Sequence, residues 1–437
     1  MTRGYLQILG VLAAAIIILT LLITTTPPAV SEGRFLVIPF GWLRLLAGFL
    51  VAVSAVSSSA YLYGRVKRPA RAGQYALTAG THLFIWSCIL LTFYPVIFLL
   101  GVSFNRNDSI TSPLPREGNA LVRSGVLPNP ADLSTVQYHK VLSETHILWY
   151  QWIIIALLAV AVLGLMTAAW AKRSGADPYR LERLQRLLGW TVFLACAALI
   201  VSITPGQFFS YNEAGERVPG SSERMIILYI RNTLLVSGTT GLFAVLISTT
   251  AGYAFARMRF EGRYQTLLTF VFVQMFPSFM TLVAIFYLMS YLDLINTFTG
   301  LILAYSGGAI AFASWIFKGY LESISPSLEE AAMVDGATRW GAFFRIILPI
   351  SIPMLLFIFL LQFIGTYSEF ILANTLLVGQ EHWTVGIGLR NFTSGRFNTQ
   401  WGALAASAVL GSLPILLIFY TFQDALTGQY QAGGVKG

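Results

Sequence analysis

Ten long apolar segments leave this chain few ways to fold. They run at about 5–25, 40–63, 77–103, 147–171, 187–204, 225–256, 264–291, 299–320, 346–374 and 402–422. An α-helix needs roughly 20 predominantly apolar residues to cross a bilayer core. In lipid every backbone N–H and C=O must be bonded internally, so spans of this kind are helical. Charged residues make up only 11% of the 437 residues and hydrophobic ones 56%, whereas a soluble domain carries about 25% charge. The expected fold class is an all-α polytopic membrane protein with about ten transmembrane helices. Arg3 precedes the first apolar run, as in a signal peptide. That run is long for a signal sequence, however, and Thr24-Thr25-Thr26-Pro27-Pro28 is a poor cleavage site, so the segment reads as a retained helix.

The formal charge of +9 raises the question of nucleic acid, but the placement of the basic residues argues for topology. Arg65, Lys67, Arg68 and Arg71 crowd one connection, and Lys172, Arg173, Arg180, Arg183 and Arg186 another. Arg257, Arg259 and Arg263 fill a third, while Lys318, Arg339 and Arg345 flank a fourth. Counted through the helices, all four fall on one side. With Arg3 and Lys436 they hold 17 of the 28 basic residues. The positive-inside rule makes that side the cytoplasm, with both termini inside. The surplus then meets anionic lipid headgroups, and no nucleic-acid partner is expected. The opposite loops are 105–145, 207–224 and 377–400; the first is rich in Pro, Asn and Ser, with one short helix expected near Val136–Leu142.

The connection over residues 322–345 is too polar to span and too regular for a loop. Ser325-Pro326 reads as a helix start, and Ser327 with Glu330 fits a capping box. Gly336 permits a sharp turn, and Thr338 can cap a second short helix running to Arg345. One side of this knob is apolar, through Leu328, Ala331, Ala332, Met333 and Phe343. The pattern alone leaves two readings open: docking into a groove of a soluble partner, or lying on the headgroups.

Several chemistries lack their residues. Gly-Lys does not occur as a dipeptide, so no phosphate-binding loop is present. His82, His139, His146 and His382 have no metal-ligand spacing, and Cys88 and Cys196 sit inside apolar runs. No nucleophile–base set stands out, so no catalytic, cofactor or metal residue is assigned.

The polar connection resembles the EAA motif of ABC-importer permeases: Glu330-Ala331-Ala332, three residues, Gly336, nine residues, then Ile346-Ile347-Leu348-Pro349. Tyr253-Ala254-Phe255-Ala256-Arg257-Met258-Arg259-Phe260, Gln274-Met275-Phe276-Pro277 and the closing Ala432–Gly437 stretch resemble the second membrane subunit of maltose/maltodextrin transporters, the MalG type. The likeness is close over 232–437 and weaker over 83–142. Residues 1–76 add two helices, and 147–205 insert a hairpin into the first outer loop. The resemblance therefore implies a type I (MetI-like) permease core of six helices plus four extra. The segments are then an N-terminal extension (1–76), a first core helix with its outer loop (77–146), the inserted hairpin (147–205) and the main core (225–437), which holds the EAA loop (322–349) and a C-terminal tail (425–437).

The resemblance also implies roles. Glu330, Ala331, Ala332, Asp335, Gly336, Ile346, Leu348 and Pro349 form the coupling element, with Glu330 pairing to a basic residue of an ATP-binding subunit and Asp335 bracing the turn. Glu329 is expected to be solvated. Gly433, Gly434, Val435, Lys436 and Gly437, flexible by composition, are implied to reach the ATPase dimer. Asn391, Thr393, Ser394, Gly395 and Asn398 mark an outer loop that enters the sugar-binding protein. Gln274, Met275, Phe276 and Pro277 either line the path or pack between helices, with Pro277 kinking its helix. Glu369, in a Tyr367-Ser368-Glu369-Phe370 setting that departs from the family's commonest form, is expected in a structural hydrogen bond or a binding-protein contact rather than a proton relay. The implied partners are a homologous permease, two ATP-binding subunits that hold ATP and Mg, an extracytoplasmic sugar-binding protein and lipid. Maltose or maltodextrin leads as cargo, with trehalose or another glucoside as the alternative. The rivals from other classes are an ion-coupled transporter, which would need more intramembrane acids than Glu369, and a scaffold without transport.

Overall fold

Runs of Leu, Ile, Ala and Phe without breakers propagate as helix, because each added residue closes one more internal hydrogen bond. A computed structural model describes residues 10–11, 13–18, 20–21, 30–32, 35–37, 40–106, 130–142, 147–173, 178–208, 225–393 and 400–426. It is nearly all helical. Eight helices among the described residues are long and apolar enough to cross a membrane, with mean hydropathies of 1.6 to 2.5, and one bent pair adds a ninth if it serves as a single crossing. In the tenth expected segment, 5–25, the described residues 10–11, 13–18 and 20–21 are helical. The chain divides into two units, Met1–Gln137 and Tyr138–Gly437.

In the first unit a two-stranded antiparallel hairpin (β1, Val30–Glu32; β2, Phe35–Val37) precedes α1 (Gly41–Lys67) and α2 (Ala72–Ser103). These helices pack against each other through Ser54, Ser57, Tyr61, Ala72 and Ala76, all buried. The serines and alanines among them let membrane helices approach closely. The second span begins at Ala72, so Arg65, Lys67, Arg68 and Arg71 are gathered at one tight turn.

The second unit takes in most of the short α3 (Val136–Leu142), the position expected from sequence, whose Val141 joins a buried cluster with Met225, Leu228, Tyr229 and Val385. A helical hairpin follows, α4 (Trp149–Arg173) and α5 (Pro178–Ser202), closed at its open end where Gln151 Nε2 donates to Ser202 O at 3.2 Å. The centre is α6 (Ile226–Arg257) against α9 (Phe298–Ser323) and α12 (Leu348–Ser368). Gly252 makes this packing possible: a Cβ there would sit 2.9 Å from the ring of Phe317. Between them run α7 (Arg263–Met275) and α8 (Ser278–Tyr291), then α10 (Ser327–Val334) and α11 (Arg339–Ala342). α13 (Ile371–Leu376), α14 (Val385–Asn391) and α15 (Trp401–Leu426) complete the order.

Three expectations are corrected. Segment 264–291 is not one kinked helix: α7 and α8 meet at 104°. Pro277 has no N–H to continue the ladder and takes an extended ψ of 123°, so it ends one helix and starts the next. Segment 346–374 is likewise two helices, broken at Glu369–Phe370. The short helix capped by Thr338 is not separate either. It runs through a π-turn at Phe343–Ile347 into α12, giving one rod over Arg339–Ser368. Pro349 cannot donate to the carbonyl four residues back, and the wide turn before it, with Leu348 N–H bonded to Phe343 O, takes up the mismatch.

Candidate functional site

The polar connection folds as a short helix and a hard turn. Ser327 N–H donates to Ser325 Oγ at 3.4 Å, and Glu330 N–H donates to Pro326 O at 3.1 Å. The Ser327–Glu330 capping box therefore does not form, because Ser327 is already the first helical residue. At the other end Ala337 N–H reaches Ala332 O at 2.9 Å and Gly336 N–H reaches Met333 O at 3.1 Å. With Gly336 at φ +88° this is a Schellman turn, which requires a residue without a Cβ cost at that position. Asp335 is exposed, and the turn is braced by backbone bonds. Thr338 Oγ1 then accepts from Gly341 N–H at 3.1 Å and starts α11.

Consecutive residues on a helix point about 100° apart, and this decides what α10 offers outward. Glu330, Ala331, Leu328 and Met333 are exposed, and Val334 is 87% exposed. Across the turn Trp340 and Phe344 are exposed as well. Two residues expected on that outer face are buried instead: Ala332, one turn from Glu329 on the inner face, and Phe343, in the core with Tyr253, Phe317 and Ile347. In the closing motif Ile346 and Leu348 are half-buried, and Pro349 is exposed.

Glu329 overturns the expectation of a solvated acid. It is 7% exposed. Arg257 Nε contacts its Oε1 at 2.6 Å, and Tyr253 OH donates to Oε2 at 2.8 Å. The same guanidinium donates from Nη2 to Ile324 O at 2.8 Å. The legible signal was the pairing of Tyr253 and Arg257 one turn apart on α6, with Glu329 and Ala332 one turn apart on α10.

A cavity of about 660 Å³ lies among α7, α8, α9 and the α12–α13 break. Gln274, Phe276 and Glu369 line it, together with Tyr305, which sequence reasoning missed. Met275 is 76% exposed and not among the lining residues, while Pro277 makes the bend beside it. The polar groups are largely engaged. Gln274 Nε2 donates to Gly308 O at 2.8 Å. The Glu369 carboxylate accepts from Tyr305 OH and from the N–H groups of Leu372 (2.9 Å) and Ala373 (3.2 Å). Glu369 is thus held in structural hydrogen bonds at the start of α13. The cavity is mostly apolar, and these polar side chains are engaged with the protein itself.

At the far end of α6 a second set of bonds holds the segment before α14. Asn232 Nδ2 donates to Glu381 O and Trp383 O, each at 2.9 Å, and Thr233 Oγ1 accepts from Val385 N–H at 2.8 Å. Asn296 Oδ1 accepts from Val378 and Gly379 N–H. Asn391 and Thr393 close α14, where Thr393 Oγ1 donates to Arg390 O at 2.8 Å. Ser394, Gly395, Asn398 and the tail Gly433–Gly437 lie outside the described residues.

With this arrangement in view, residues 244–429 match the family described as "Binding-protein-dependent transport system inner membrane component". The chain is 42% identical over 218 residues to the maltose/maltodextrin transport system permease protein MalG of Vibrio vulnificus (strain YJ016), covering 48% of this chain and 73% of that one. The same figures hold for MalG of Escherichia coli (strain K12). The chain belongs to this family of inner-membrane transport permeases. Its fold is also similar to a chain in the crystal structure of a bacterial ABC transporter involved in the import of the acidic polysaccharide alginate. The TM-score is 0.52 at 17% identity, over 82% of this chain and 97% of that one. Family membership and the apolar helices make the chain a multi-pass inner-membrane transport component.

Proposed function

We propose that this permease forms half of the translocation pathway of an ATP-driven importer for maltose- or maltodextrin-like oligosaccharides. Its partners are a homologous permease, two ATP-binding subunits and an extracytoplasmic binding protein. ATP and Mg are held by the partners, and hydrolysis occurs there. The observation that carries the reading is α10: Glu330 stands exposed beside Ala331, Leu328 and Val334, on a helix fixed by a Schellman turn. An exposed acid ringed by apolar side chains suits a groove with a basic residue in it. Ile346, Leu348 and Pro349 join that element to α12, so that a push on it reaches the pathway.

Both termini face the cytoplasm in this reading, and the Gly433–Gly437 tail reaches the ATPase dimer. The outer loop around Asn391–Asn398 meets the binding protein, and the cavity by Gln274, Phe276 and Glu369 is part of the path. Trehalose or another glucoside is the alternative cargo. The test is the ATPase rate of the complex that co-purifies with the tagged chain, in lipid, with its binding protein and a panel of sugars. Strong stimulation by maltose or maltodextrin is expected. Stimulation by another sugar alone reassigns the cargo, and the absence of any co-purifying ATPase overturns the docking role of α10.

A further inference from the structure

We infer that Glu329 and Arg257 are positioning residues: their ion pair is the joint that turns movement of α10 into movement of α6. The inference rests on the reading of α10 as the ATPase-docking element.

Three observations carry it. First, the pair is withdrawn from solvent, with the side chains of Arg257 and Glu329 only 12% and 9% exposed. A surface pair adds little, whereas a buried pair that loses one partner leaves a charge with no water to receive it. The joint therefore resists being pulled apart. Second, one guanidinium serves three elements. Arg257 is the last residue of α6, its Nε holds Glu329 of α10, and its Nη2 holds Ile324 O, just beyond the last turn of α9. Tyr253, one turn earlier on α6, holds the other carboxylate oxygen and packs at a tilt on Phe343 with ring centroids 4.6 Å apart. Displacing α10 thus loads the ends of both α6 and α9. Third, α6 has a matching grip at its other end, where Asn232 and Thr233 hold Glu381, Trp383 and Val385. The two grips lie on the order of 38 Å apart along one uninterrupted helix. Glu330, the neighbouring acid, takes no part in the joint and stays exposed. Docking and transmission are divided between two adjacent carboxylates.

The test reads transmission without needing the cargo. In the full complex, with Cys88 and Cys196 replaced by serine, Val378→Cys provides one cysteine on the held segment, where Val378 is 71% exposed. Its maleimide labelling rate is measured with and without ATP plus vanadate. The expected result is a change of roughly fivefold or more, the usual range for coupled sites. Glu329→Gln, which keeps the shape and removes the charge, should abolish that change while the ATP-binding subunit stays bound. Arg257→Lys, a point charge without the fork, should reduce it and serves if Glu329→Gln fails to accumulate. A wild-type response in whichever variant accumulates overturns the proposal, as does an unresponsive Val378→Cys complex that retains its ATPase. Loss of the ATP-binding subunit from Glu329→Gln, as from Glu330→Lys, makes Glu329 a docking residue and overturns it too. If the unmutated chain holds no ATP-binding subunit, the docking reading itself fails and the joint falls with it.

Discussion

Glu329 and Glu330 differ in nothing but the direction in which the helix points them, yet one is buried against Arg257 and the other faces outward. The same split separates Ala331 from Ala332, and it gives a test at single-residue resolution. Ala332→Leu adds three carbons to a packed interior position, which costs about 1–3 kcal/mol. It should lower the melting temperature of the purified chain. Ala331→Leu enlarges an exposed position, so the melting temperature should hold while the co-purified ATP-binding subunit falls severalfold. Equal effects of the two variants in both assays would mean that α10 is rotated from the orientation described. The spacing Glu-Ala-Ala…Gly…Leu-Pro was legible in the sequence, because the turn at Gly336 is local chemistry. Which glutamate faces inward was not, because that depends on a partner 72 residues away in the chain.

Long uniform apolar runs were easily read as helices. Their interruptions were less legible. Pro277 signalled a bend, but whether a proline kinks or breaks a helix depends on what replaces the lost hydrogen bond. Here Gln274 is anchored to Gly308, and the chain leaves Pro277 at 104°. The break at Glu369 had no proline at all; its backbone turns extended to end one helix, and its carboxylate caps the next. α6 shows what an unbroken element can do. Replacing Asn232 with Leu removes both bonds to the carbonyls of Glu381 and Trp383 and leaves those acceptors without their partner, at about 1–3 kcal/mol where such groups are buried. Amide hydrogen exchange should therefore accelerate by about tenfold or more over 378–392, since each 1.4 kcal/mol of local opening is a factor of ten. Exchange over 327–337 should not change. Acceleration confined to 327–337, or none at all, would detach the outer segment from α6.

On many of the helices apolar side chains face outward. Leu91 is 77% exposed and Val160 67%, as befits side chains that face lipid rather than water. The additions at 1–76 and 147–205 each contribute apolar helices long enough to cross a membrane, α1 in the first and α4 and α5 in the second. What the helices alone do not fix is direction, because a bundle packs equally well either way up. The proposed direction comes from the charges: Arg257, Lys318, Arg339 and Arg345 sit at the same ends of their helices as α10. The proposed direction puts Val334 in the cytoplasm and Val378 on the opposite face. With Cys88 and Cys196 replaced, a membrane-impermeant maleimide should label Val378→Cys in intact spheroplasts and label Val334→Cys only after permeabilisation. Both residues are strongly exposed, at 71% and 87%, so a silent cysteine would reflect the barrier rather than burial in the chain. The reverse pattern would invert the topology, place α10 where no ATP is available, and remove the basis for coupling through Glu330. Labelling of both in intact spheroplasts would put them on one face, which requires that the rod over Arg339–Ser368 that separates them not cross.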